Sequence, residues 1–152
     1  MNRITADAQR LEQLREADDP GFVVEVERFY LPYRDLATRV GRGDVAAVGP
    51  ALAFLEADPR CFRSGYMKAD LMHALANGPN LQPVRARVQA VVLHRVRHHE
   101  PRLLRHAARL ACEVWDDELE SAIRELQRDG DERQCADARQ LLDWVEQQVP
   151  NR

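Results

Sequence analysis

LQPVRARVQAVVLHRVRHHEPRLLRHAARLACEV, residues 81–114, decides the fold. At 100° per residue, Leu81, Val84, Val88, Val91 and Val92 share one helical face, and Arg87, His94, Arg97 and His98 share the opposite one. After Glu100-Pro101, with proline suited to a first helical turn, the period restarts. Leu104, Ala107, Ala108 and Ala111 line the apolar side, flanked by Leu103, Leu110 and Val114. Arg102, Arg105, His106 and Arg109 form a narrow polar ridge. Two amphipathic helices of this kind joined by a short turn are expected to pack antiparallel, which would merge the two ridges into one electropositive surface. Arg95 and His99 fall toward the apolar side.

The same punctuation runs along the chain. Thr5 is expected to cap a first helix to Ala17, with Ile4, Leu11 and Leu14 as its apolar positions, ended by Asp18-Asp19-Pro20-Gly21. A second helix covers Phe22 to Val40, with Val23, Val26, Phe29 and Tyr30 as its stripe; Pro32 either kinks it or starts another. Asp44 caps Val45 to Ala57 around Val48, Leu52 and Leu55, with irregularity expected at Gly49-Pro50. Ser64 caps Gly65 to Ala76, with Phe62 as an anchor just outside it, and Asn80 caps Leu81 to His99. Pro101 to Val114 follows, then Asp116 caps Asp117 to Arg128, and Glu132 to Val149 closes the chain. No window alternates apolar and polar residues over a strand length. The expectation is an all-α fold of seven or eight short antiparallel helices, a helical stack or an irregular bundle, in one domain spanning residues 1–152.

The turns repeat. Glu56-Ala57-Asp58-Pro59 precedes Arg63 and the helix bearing Ala69, Leu71 and Leu75. His99-Glu100-Pro101 precedes Arg105, Ala107, Ala108 and Ala111; Arg128-Asp129-Gly130-Asp131 precedes Arg133, Ala136, Ala138, Leu141 and Leu142. An acidic turn with proline or glycine, an arginine, small residues and then leucines resembles the second helix of HEAT-like repeats. The likeness covers the last two-thirds of the chain, with starts 42 and 29 residues apart. It implies a stacked helical array with a binding surface and no particular activity.

Charge is unevenly distributed. The net charge of −3 contains a segment, residues 85–109, with seven arginines, four of the five histidines and one acid, Glu100. Residues 110–152 carry twelve acids against five bases. The candidate binding surface is therefore the basic ridge (Arg87, His94, Arg97, His98, Arg102, Arg105, His106, Arg109), the acidic C-terminal helices, or both; for the ridge, arginine offers bidentate geometry to carboxylate and phosphate. The plainer alternative is a solvated face neutralised by acids of the C-terminal helices. Two binding classes follow. One is a non-catalytic interaction module, adaptor-like or immunity-like, engaging a protein partner that is acidic. The other is a helical-repeat protein engaging nucleic acid; residues 85–109 hold no Phe, Tyr or Trp to stack on bases, which counts against it. A small-molecule enzyme ranks third.

No cofactor or metal is expected. His94 and His98 stand at a ligand-compatible i, i+4 spacing, but arginines flank both and there is no H-E-x-x-H. Ser64 has Met67, not lysine, three residues on, so a serine–lysine pair is excluded. Cys61, Cys112 and Cys135 have neither redox nor zinc spacing. Reduced cysteines, the absence of a leader-like apolar segment at the start and the lack of any membrane-length run point to a cytoplasmic protein without membrane contact. Lys68 is the only lysine beside the arginines, the codon bias of a GC-rich bacterial genome.

Overall fold

The computed structural model describes residues 2–148, and these contain eight α-helices and no strand. The helices group into two compact units, one ending at Pro79 and one starting at Asn80. The fold is all-α.

In the first unit α1 spans Arg3–Glu16, α2 Phe22–Gly41, α3 Val45–Ala57 and α4 Ser64–Asn77. Asn2, not Thr5, caps α1, its Oδ1 accepting from the Ile4 amide at 2.8 Å. Asn and Thr are both good caps, and the chain takes the earlier one, gaining nearly a full turn. α2 runs unbroken through Pro32. Proline removes the hydrogen bond to the Arg28 carbonyl; both residues lie on the exposed flank, so no buried acceptor is stranded. Val26 and Tyr30 are buried, but Val23 is 69% exposed and does not belong to the core stripe. Asp44 caps α3 as expected, accepting from the Ala46 amide at 3.0 Å, and Gly49 and Pro50 are absorbed into the helix. Ala47, Val48, Ala51, Leu52, Phe54 and Leu55 are all buried, so α3 is packed on most of its circumference, while α2 makes the most extensive packing in the unit.

Ser64 is the first residue of α4 rather than its cap. Its Oγ reaches back to accept from the Cys61 amide, and the capping position is taken by Arg63 in a left-handed conformation (φ 61°). α2 packs on α1, α3 and α4, and α4 also on α3. Phe29, Tyr33 and Phe54 form the aromatic seam of this unit, with Tyr33 and Phe54 ring centroids 4.3 Å apart.

The second unit begins with Asn80 accepting from the Gln82 amide and a 3-10 turn, Gln82–Val84. The α-helix α5 is therefore shorter than its apolar stripe, Arg85–Arg97, because Pro83 tightens the first turn. α6 spans Pro101–Glu113, α7 Asp117–Asp129 and α8 Glu132–Gln148. Val149, expected at the end of the last helix, lies outside the described residues. α8 starts with a reciprocal cap: Asp131 Oδ1 accepts from the Gln134 amide, and Gln134 Oε1 accepts from the Asp131 amide.

α6 packs on α5 and α8, and α7 on α5 and α8; among the described residues α6 and α7 do not meet. The link between them is held by α5. Gln89 Nε2 donates to the Val114 carbonyl at 2.9 Å, and Arg85 pairs with Asp116 at 3.3 Å. Asp116 caps α7 by accepting from the Leu119 amide at 2.8 Å. That bond first, then Gln89 and the charge of Arg85, hold the Asp116 carboxyl below the usual aspartate range. Its stabilisation is complete above that range and is lost as pH falls through it towards the depressed value. Asp116→Ala is expected to cost about 1 kcal/mol in a urea melt at neutral pH, with the deficit closing in acid. A loss that stays constant into acid would show that the carboxylate is not the cap.

Candidate binding surface

α5 and α6 owe their two-faced character to sequence, and each buries the expected side. Val88, Val91, Val92 and Val96 of α5 and Leu103, Leu104, Ala107 and Ala108 of α6 are buried. Of the ridge residues, Arg87, Arg97, His98, Arg102, Arg105 and Arg109 are exposed, and His94 and His106 are half-buried. α5 carries Arg87, His94 and Arg97, with His98 just past its end, and α6 carries the other four; the two helices pack against each other.

The interior-facing pair behaves differently. Arg95 is fully buried and pairs with Glu100, the residue preceding α6. His99 takes a left-handed conformation (φ 49°) and its Nδ1 lies 2.8 Å from Oδ2 of Asp137, a buried carboxylate on α8. The Arg97 carbonyl accepts from Gln134 Nε2 at 3.0 Å. Two side-chain clamps and one backbone contact thus fix the α5–α6 turn, around which Arg97, His98 and Arg102 are presented.

Of the C-terminal acids, Asp116 and Asp137 reach Arg85 and His99 of the basic segment, while three others pair within α7 and α8. Glu120 pairs with Arg124 at 2.8 Å, Glu146 lies 3.8 Å from the same arginine, and Asp129 pairs with Arg128 at 2.9 Å. On the ridge, Arg109 pairs with Glu113 of its own helix at 2.6 Å. Arg97, Arg102 and Arg105 make no ion pair among the described residues. The basic helices do pack beside the acidic ones, and Arg85 and His99 find acids there, whereas Arg97, Arg102 and Arg105 do not. α7 does not pack on α6, so its acidic first turn is carried beside α5 and α8 instead.

The His94 and His98 rings lie 4.0 Å apart at 47°. Among the described residues no group of three His, Cys, Asp or Glu side chains converges in a metal-binding arrangement, so this pair has no third ligand there. Burial pushes the Cys61 thiol up, the opposite of an activated nucleophile; its Sγ sits 3.4 Å from the Tyr30 hydroxyl. No helix among the described residues is long and apolar enough to cross a membrane.

Sequence reading did not single out Leu31 and Tyr66 of the first unit as exposed. Leu31 is 64% and Tyr66 72% exposed, and Arg63 lies over the Phe62 ring at 5.2 Å. Leu31 falls off the stripe of Val26 and Tyr30 on α2, about 100° or more around the helix, which periodicity alone would have revealed. Searches for this chain among protein-family models, curated proteins and solved structures give no match.

Proposed function

We propose that this chain is a non-catalytic protein-interaction module whose basic ridge on α5 and α6 engages an acidic surface of a partner. The observation that carries the reading is the state of Arg97, Arg102 and Arg105: exposed, backed by a buried apolar face, and outside every ion pair among the described residues. A rigid helix pair fixes where the three guanidinium groups start, and each offers a bidentate fork to a carboxylate. A protein partner is favoured over nucleic acid because residues 85–109 hold no aromatic side chain to stack on bases. The HEAT-like resemblance rests on the sequence alone and belongs to this proposal, as do a bacterial source and a cytoplasmic setting.

The test titrates the protein into labelled oligoglutamate and labelled duplex DNA at about 50 and about 200 mM salt. Oligoglutamate is expected to bind more tightly than DNA. The triple change Arg102→Glu, Arg105→Glu and Arg109→Glu should weaken that binding at least about tenfold, some 1.4 kcal/mol. Unchanged affinity in the triple variant would make the ridge a solvated face. Tighter binding to DNA with a steep salt dependence would move the partner class to nucleic acid.

A further inference from the structure

We propose that the cleft between α1 and α2 is a docking groove for an acidic amphipathic helix of a partner protein. The cleft has a volume of about 500 Å³ and runs along one face of each helix, from Arg3 to Leu14 on α1 and from Glu25 to Tyr33 on α2. Its apolar floor is made by Ile4, Leu11 and Leu14 facing Phe29, Pro32 and Tyr33. Leu11 is buried, whereas Ile4, Leu14, Phe29 and Tyr33 are only half-buried and Pro32 is exposed. The spacing Ile4–Leu11–Leu14 repeats every seven and then three residues, the register a third helix needs to seat its own stripe between two others. From Ile4 to Leu14 the groove is about 15 Å long, nearly three helical turns.

The helices around it explain why this face is open. Within the first unit α1 packs only on α2 and α3, so its remaining side has no helical neighbour from that unit. A trough bounded by two helices suits a helical segment better than a compact small molecule, which needs enclosure on most sides.

Charge selects the sign of the occupant. Three cations and two acids line the groove. Arg3 lies 3.7 Å from Asp7, and Arg28 pairs with Glu25 at 2.8 Å. Arg10 makes no ion pair or side-chain hydrogen bond among the described residues, and neither does the Tyr33 hydroxyl. The groove thus presents one uncommitted guanidinium and one uncommitted phenol beside an apolar floor, a combination that receives a carboxylate next to an aliphatic stripe. This surface lies in the first unit and its reading is independent of the ridge.

The test uses the full chain and a labelled synthetic helix about four turns long, with leucines at i, i+3, i+4 and i+7 and glutamates on both flanks. Its twin carries lysines in place of the glutamates. The acidic helix should bind in the micromolar range, weaken at least about tenfold with Arg10→Glu, and weaken severalfold with Tyr33→Phe, which keeps the ring. The lysine twin should bind only the Arg10→Glu variant. Arg10 is exposed, so far-UV circular dichroism should confirm an intact fold in that variant. No binding of the acidic helix, or binding indifferent to Arg10→Glu, overturns the inference. Binding lost with the Arg102, Arg105 and Arg109 triple change but not with Arg10→Glu would place the acidic helix on the ridge, supporting the proposed function and removing the groove.

Discussion

Gly78→Ala is expected to destabilise the first unit by about 3 kcal/mol, the upper part of the range for overpacking a closed site. A Cβ at this position would stand 2.1 Å from the Val40 carbonyl oxygen and 3.0 Å from the Ala74 carbonyl oxygen. Both obstacles are backbone, so no side chain can swing away to relieve them. The site is where the end of α2 passes the end of α4, and Val40 is fully buried there. Gly78 has φ −107°, outside the left-handed region, so what requires glycine is space and not backbone freedom. Gly41→Ala is the matched control, because nothing lies within 4 Å of its added methyl group and it closes a helix. That change should be neutral or stabilising by up to about 1 kcal/mol. Far-UV circular dichroism through a urea titration reads both; Trp115 and Trp144 both lie in the other unit and are the wrong probes. Equal midpoints for the two variants would mean that α2 and α4 do not approach so closely.

Where helices begin was legible to the extent that a single side chain decides it. Asp44, Asp116 and Pro101 start α3, α7 and α6 where the sequence places them, because capping is a contact made within three residues. Ser64 and Thr5 misled for the same reason: several competent polar residues stood close together, and only the incoming chain direction chooses among them. The ridge was legible through the 3.6-residue period, which assigned Arg95 to the interior and Arg97, Arg102 and Arg105 to solvent. Which helices meet was not. The packing of α6 on α8 instead of α7 joins residues far apart in sequence, and no local pattern encodes it. For the same reason the exposed Val23 and the buried Lys68 were unreadable, since the burial of each is set by a neighbouring helix.

Lys68 supplies the second large effect. It is 2% exposed, and its Nζ lies 2.6 Å from Asp58 Oδ1, at the left-handed residue that ends α3. An ammonium removed from water costs several kcal/mol, which the facing carboxylate offsets only while it remains charged. Asp58→Asn keeps the shape and tolerates φ 47°, but takes away the charge. We expect it to destabilise the chain by about 3 kcal/mol. Lys68→Met is expected to cost only about 1 kcal/mol, because a methionine chain fills the same apolar space and leaves no buried cation. The carboxylate it leaves behind is 10% exposed and retains Arg60 at 3.5 Å. In the double variant the asparagine faces a thioether, and the loss should fall below that of Asp58→Asn alone, giving a coupling of about 2 kcal/mol in the double-mutant cycle. Additive losses would instead mean that Asp58 acts through the turn it closes and not through the charge of Lys68.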